Sequence, residues 1–349
     1  MSAMTMANEF KAYAKKLGFP ESETMGRILD LLFPDEISRK IAQALHKPVR
    51  IGELAEITAI PLDVLQETAE QLFCRGAIAR YLDPPDQYRL YPAMIELRDA
   101  TVIHPDCPQA LFELWEQLIT KELADLTPYW KEKNVPEMLR VVPIEETVAS
   151  QNLILDVDSA RQIFREAEVI AAMPCPCRLQ ARRVGKEVDC PAPDDIDLCM
   201  QTNNFARAML ARGVGERLSN EEALRRIELA EDAGLVHQVR NNIKEDMMMC
   251  NCCSCCCSGL YMIHHLDYTP YAKSRFRVAF DASLCNGCGL CVKRCHFFAI
   301  DIDKNLKPKE RVAQVDYDKC YGCGLCTLKC PTQALTMMEV RPREAVRTT

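Results

Sequence analysis

Two cysteine runs with the same spacing lie in the last quarter of the chain. They are Cys285-x2-Cys288-x2-Cys291-x3-Cys295 and Cys320-x2-Cys323-x2-Cys326-x3-Cys330, the second followed by Pro331. Deprotonated thiols are soft ligands, and three on one tight loop can cap three irons of a cubane cluster. The fourth corner is then met from the other run. On this reading Cys285, Cys288, Cys291 and Cys330 hold one [4Fe–4S] cluster, and Cys320, Cys323, Cys326 and Cys295 hold a second. Gly287, Gly289, Gly322 and Gly324 keep side chains out of the loops, so that backbone N–H groups can face the cluster sulfides.

Residues 276–340 resemble bacterial-type 2[4Fe–4S] ferredoxins on these two runs, which implies a ferredoxin-like fold, one-electron transfer and a redox partner protein. There are two departures. His296 stands where the pattern has proline, and 24 residues, 296–319, separate the runs, enough for an extended hairpin. His296 is expected to be a solvent-facing replacement, with tuning of one cluster's potential as the alternative. Paired zinc ribbons would instead space CxxC pairs by a longer loop. Neither a CxxCH haem motif, nor CxxxCxxC, nor a G-x-G-x-x-G turn after a strand is present.

Ten more cysteines fall in two patches. Met173-Pro-Cys175-Pro-Cys177-Arg178 precedes Cys190 and Cys199, and Met247-Met-Met-Cys250-Asn-Cys252-Cys253-Ser-Cys255-Cys256-Cys257-Ser258 follows later. So many thiols exceed what a packed core uses, and one or two additional iron–sulfur clusters are expected, with zinc as the alternative. Spacing leaves the grouping open. Cys175, Cys177, Cys190 and Cys199 could cap one cube and four of residues 250–257 another, or both patches could meet at one cluster with an open iron. Cys74 and Cys107 read as inert buried thiols. Arg178, Arg182 and Arg183 balance cluster charge, or dock an anionic partner, or form a solvated helix face. His264 and His265 read as structural, and Met247 to Met249 as a cover over the cluster pocket.

From Asp158 through Cys257 the chain also resembles a broad group of ferredoxin-type proteins from anaerobes. The shared pattern is C-x-C-R at 175–178, two later cysteines, Gly234-Leu-Val-His237, and C-N-C-C-x-C-C-C at 250–257. The resemblance implies electron transfer in anaerobic metabolism without a settled reaction.

The elements that must position these groups are legible in part. Helical spacing at 35–45, 51–57 and 62–73 is followed by a hairpin pattern at 77–82 and 87–91, with Pro84-Pro85 as its turn. This order resembles a winged helix-turn-helix domain. Residues 107–133 read as a largely amphipathic helix, 139–142 and 169–173 as strands, and 158–168 as a helix with an Asp start. Residues 219–234 read as a helix capped by Ser219 and stopped by Gly234. The expected architecture is α+β and multidomain. A winged-helix domain spans 20–95, a helical linker 96–157, a helical cysteine-rich middle domain 158–275, and a dicluster ferredoxin domain 276–340.

Composition bounds the rest. The 349 residues are 48% hydrophobic and 27% charged, an ordinary globular balance, with net charge −7 and 20 cysteines. No stretch approaches the roughly 20 apolar residues of a membrane span. The first residues lack a secretory leader, so a reducing cytoplasmic setting is expected. Adjacent cysteines such as Cys252-Cys253 are poor disulfide partners, which points the clustered thiols to metal. Residues 21–95 carry twelve acids against eight bases, and the expected recognition helix at 61–73 holds Asp63, Glu67 and Glu70 but no Lys or Arg. DNA binding is therefore not expected; protein docking or a homodimer is. The sequence reads best as an electron carrier or subunit of a partner oxidoreductase complex. The rivals are a redox-sensing transcription regulator and a reductase with an open-site cluster at 250–257.

Overall fold

Ser22 and Asp35 set where the first helices begin. Ser22 accepts the Met25 N–H, and Asp35 closes a capping box with Ser38, so helices Glu23–Leu32 and Glu36–Ala44 start with satisfied amides. In the computed structural model, which describes residues 10–82, 85–149, 158–243, 247–307 and 310–348, the chain divides into two compact units. The first comprises Met1–Trp130, Met173–Glu187 and Ala206–Glu216. The second comprises Lys131–Ala172, Val188–Phe205 and Arg217–Thr349.

In the first unit, strand β1 (Val49–Arg50), helices Ile51–Thr58 and Leu62–Cys74, and strands β2 (Ala79–Leu82) and β3 (Pro85–Arg89) follow the two capped helices. The strands form an antiparallel sheet in the order β1-β3-β2, with Val49 opposite Tyr88. Ile28, Leu29, Ile41, Leu54, Leu65 and Phe73 are buried beneath them. The Pro84 half of the expected turn lies outside the described residues, and Pro85 opens β3. Residues after 95 do not behave as a linker. Leu97 and Trp115 are fully buried, and Trp115 Nε1 donates to Thr101 Oγ1 at 3.1 Å. The amphipathic segment is broken locally into helix Gln109–Gln117, a π turn at Leu118–Glu122 and a 3₁₀ turn at Leu123–Leu126. Its predicted apolar face, Leu111, Leu114, Trp115, Leu118 and Ile119, is the buried one.

The second unit is built on a seven-stranded sheet: β4 (Leu139–Val141), β5 (Ile170–Met173), β6 (Cys199–Thr202), β7 (Glu216–Leu218), β8 (Val236–Arg240), β9 (Met248–Cys252) and β10 (Tyr271–Ala272). Their order is β10-β4-β8-β9-β6-β5-β7. The middle segment 158–275 was expected to be a helical domain of its own. It supplies six of these strands, and it contributes to both units. Short strands of Met, Cys, Gln and Asn lack the β-branched signal that marks a strand in sequence, and their pairing is non-local. The Ser219 cap is present on helix Asn220–Asp232. The helix after Asp158 is Ala160–Glu166, capped by Ser159 rather than Asp158.

Asp158 instead serves as a buried anion between two cations. Its carboxylate pairs with Arg140 Nε at 3.3 Å and with Arg275 Nε at 2.5 Å, and all three residues are at least 95% buried. Arg140 also donates to the Arg240 and Asn242 carbonyls. With its partners in place the charge is compensated; removing one would leave the others exposed to the full desolvation cost.

The C-terminal part of this unit pairs β11 (Phe276–Phe280) with β14 (Leu335–Glu339), antiparallel, and β12 (Ile300–Ile302) with β13 (Ala313–Val315). The latter is the expected hairpin between the cysteine runs. Short helices Leu290–Arg294 and Leu325–Leu328 each carry the third cysteine of a run.

Candidate metal centres

The eight cysteines of the doubled runs separate into two cavities. One is lined by Cys285, Cys288, Cys291 and Cys330; the other by Cys295, Cys320, Cys323 and Cys326. Each cavity therefore combines three cysteines of one run with the fourth of the other. The fold makes it so because β11 and β14 bring the start of one run beside the end of the other. Glycine is needed where backbone crowds the loops. A Cβ on Gly322, at φ +70°, would lie 1.9 Å from the Phe276 carbonyl oxygen, and one on Gly287, at φ +69°, 2.4 Å from that of Arg311.

The donor set fits a metal cluster. Burial pushes Cys323 up to about 12 and Cys291 up to about 11, so without a cation these thiols keep their protons. A bound iron cluster would supply the charge that turns them into thiolates. The second cavity also holds Arg294, half-buried, with its guanidinium bonded to the Leu325 and Glu231 carbonyls. Phe297 and Tyr321 stack at 4.2 Å on its wall.

The run at 250–257 is divided by strand geometry. Alternation along β9 points Cys250 and Cys252 to one face and Met249 and Asn251 to the other. Met249 enters the core with Ile170, Met200 and Ile227, whereas Cys250, Cys252 and Cys257 join Tyr271, Phe297 and Tyr321. Hydrogen bonding to Cys250 and Cys257, together with burial, raises the Cys252 thiol. Tyr271 Oη lies 3.2 Å from Cys257 Sγ, directly over Gly259, where a Cβ would meet that hydroxyl at 1.7 Å. Of the three methionines, Met249 is core and Met247 packs beside it, a role in the sheet's interior rather than over a cluster cavity.

The chain then turns, and Cys253, Cys255 and Cys256 gather with Cys190. Their four sulfurs all lie within 4.8 Å of one another, with Cys253 at 2.8 Å from Cys255, 3.5 Å from Cys256 and 3.6 Å from Cys190. Hydrogen bonds from its three neighbours hold Cys190 far below the ordinary thiol value, while the same contacts raise Cys253 and Cys256. Ala192, Leu198, Ala230 and Leu235 pack around the group. The possibility of a Cys175, Cys177, Cys190 and Cys199 set is thus corrected at Cys190, whose sulfur is taken by the 253–256 turn. Cys199 is buried at the start of β6.

Cys175 and Cys177 belong to the first unit, at the start of helix Pro176–Arg183. Arg98, fully buried, donates from Nη2 to Cys177 Sγ at 3.0 Å and pairs with Asp99 at 2.8 Å. Burial pushes the Asp99 carboxyl up to about 7, against the opposing pull of Arg98. Arg178 is buried rather than solvated, and Arg183 lies over the Phe112 ring at 4.9 Å. Cys107 is buried with its thiol pushed up to about 12, as expected of an inert thiol, whereas Cys74 is only half-buried, its thiol raised by burial and Glu70.

His296 does not face solvent as expected. Its Nδ1 accepts the Ser254 N–H at 3.1 Å and its Nε2–H donates to the Gly234 carbonyl at 2.8 Å. Burial lowers its pKa, in keeping with a neutral ring that both donates and accepts. His264 is structural, bonded to the His296 carbonyl at 2.9 Å. Arg98, Tyr271 and Arg294 were not singled out in the sequence. Arg98 alone left a trace, since helical spacing places it on the apolar face with Met94, Leu97 and Thr101.

Residues 284–334 match the family described as 4Fe-4S dicluster domain. No curated protein and no solved structure matches the chain. No described helix is long and apolar enough to cross a membrane. The match covers all eight cysteines of the two cavities, and it supports [4Fe–4S] clusters and iron–sulfur electron transfer in general.

Proposed function

We propose that this protein is an iron–sulfur electron carrier or oxidoreductase subunit of anaerobic metabolism. Cys285, Cys288, Cys291 and Cys330 hold one [4Fe–4S] cluster, and Cys320, Cys323, Cys326 and Cys295 the other. The middle cysteines hold further metal. The observation that carries the reading is the separation of eight cysteines into two cavities, each three plus one. A bound cube supplies one electron at a low potential, of the order of −400 mV for this cluster type. The chain itself fixes the thiols, excludes water with Phe297 and Tyr321, and sets a cation, Arg294, beside the second cavity. The partner is a redox protein of a reducing, cytoplasmic compartment.

The three helices and three-stranded sheet at 23–89 support a winged-helix reading with a docking or dimerisation role. The exposed side of helix Leu62–Cys74 carries Asp63, Gln66, Glu67 and Gln71, a surface that repels phosphate. A regulator role would require tight, sequence-selective DNA binding at physiological salt.

A second reading is favoured by one observation. Cys250, Cys252 and Cys257 pack in one apolar cluster with Tyr271, whose hydroxyl lies 3.2 Å from Cys257 Sγ, so a cluster held there would have a polar group beside it for a small-molecule ligand. Anaerobic purification with iron and sulfide determination, followed by electron paramagnetic resonance of the reduced protein, tests both. The carrier reading expects two interacting S = 1/2 centres. Zinc without iron would overturn it, and a further centre whose signal changes on adding cyanide would favour the open-site reading.

A further inference from the structure

We infer that Cys190, Cys253, Cys255 and Cys256 form a closed tetrathiolate site for a single tetrahedral metal ion, zinc or iron, and not the site of an iron–sulfur cube. Four thiolates around one ion at about 2.3 Å stand about 3.8 Å apart. The separations of Cys253 from its neighbours, 2.8, 3.5 and 3.6 Å, all fall below that value, two of them within a few tenths of an ångström, and all four sulfurs fit within 4.8 Å. A cube places each thiolate on a different iron, so its sulfurs must stand farther apart.

The same unit shows what that wider arrangement looks like. The eight cysteines of the doubled runs line two cavities, and no three of them bring their sulfurs within 4.8 Å of one another. Among the described residues, no other group of three or more metal-binding side chains converges as the Cys190 group does.

The backbone gives the group little room to open. Three of its thiols come from one four-residue turn, closed by the Cys257 N–H on the Cys253 carbonyl at 3.4 Å. Its second residue, Ser254, is held from outside, with His296 Nδ1 accepting its N–H while Nε2–H is tied to Gly234. The fourth thiol, Cys190, arrives from a separate loop and completes the tetrahedron. The shell around it is apolar, and all four donors are sulfur, which is the set that tetrahedral zinc and mononuclear iron share. No donor position is left for a substrate or water. For zinc the role is structural, fastening the 190 loop to the turn; for iron it adds a one-electron centre.

The test uses the full chain, produced anaerobically with iron and zinc both supplied, as wild type, C190S, C256S and, as a control in the doubled runs, C285S. Metal and acid-labile sulfide are measured per chain. C190S and C256S should each lose one metal atom with sulfide unchanged, whereas C285S should lose iron and sulfide together. Loss of sulfide along with several irons in C190S, or no loss of metal, would overturn the single-ion site. Should these variants fail to fold, X-ray absorption and Mössbauer spectra of the wild type decide. Zinc with four sulfur neighbours and no metal neighbour supports the zinc form, and an isolated tetrathiolate iron component supports the iron form. Absence of both overturns the inference. The C285S result separates this outcome from a failure of the carrier reading.

Discussion

His237 and Asn251 face each other across β8 and β9, with His237 Nδ1 2.5 Å from Asn251 Oδ1. Asn251 Nδ2 donates to the Leu198 carbonyl at 2.6 Å, which leaves its oxygen as the acceptor and places a proton on His237 Nδ1. The pair locks the one residue between Cys250 and Cys252 to the neighbouring strands, so those two thiols share a face by more than pleating alone.

Replacing Asn251 with alanine should therefore strand a buried ring N–H and a carbonyl. The expected cost is about 1–3 kcal/mol of stability. It should come with reduced metal content at 250–257 while the two ferredoxin clusters stay loaded. Urea unfolding and metal analysis of N251A read both effects. Unchanged stability would mean the pair is not formed.

Glu231 sits behind His237 and takes a two-pronged bond from Arg161, both contacts at 2.8 Å. Burial opposes its ionisation, but His237 and Arg161 prevail and hold the carboxyl at about 2, down from 4.5. A lowered folded-state value means stability that is complete above about pH 4.5 and is lost as pH falls towards 2. The denaturation midpoints of wild type and Glu231→Gln should differ at pH 7 and converge as the pH drops below 4.5. A gap independent of pH would show that the charge is not what Glu231 contributes.

Arg294 is the cation on the wall of the second cavity. Removing it in Arg294→Gln takes away a charge that favours the electron-rich state of a cluster bound there. At an effective dielectric near 20 the loss is roughly 1–2 kcal/mol, or on the order of 50 mV for one electron. The potential of one cluster should fall and the other stay in place, as read by a redox titration followed by paramagnetic resonance. Equal shifts of both, or none, would count against the placement.

Gly322→Ala should abolish loading of the second cavity, since its Cβ would strike the Phe276 carbonyl at 1.9 Å in a left-handed backbone conformation. Gly52→Ala is the control. Gly52 lies in helix Ile51–Thr58 with nothing within 4 Å of a new Cβ, so alanine there should raise stability by up to about 1 kcal/mol. Iron content and the thermal midpoint distinguish the two outcomes.

What the sequence determined by itself was local. The expectation of a three-plus-one grouping in the doubled runs rests on loop spacing alone, because three ligands within seven residues leave the fourth corner to the pseudo-symmetric half. Ser219 announced a helix start because a cap acts within one turn. The apolar face at Leu111, Leu114 and Trp115 was legible for the same reason of short-range periodicity. Tertiary structure decided what contiguous spacing cannot express. Six cysteines between 250 and 257 look like one patch, yet strand alternation sends Cys250 and Cys252 one way, and the following turn sends Cys253, Cys255 and Cys256 towards Cys190, more than 60 residues earlier. His296 looked like a surface substitution because the bond it accepts from Ser254 and the one it donates to Gly234 involve residues that only the fold brings to it. Asp158 looked like a helix cap and became the anion shared by Arg140 and Arg275, since burial rather than neighbouring sequence decides whether a carboxylate meets an amide or a guanidinium.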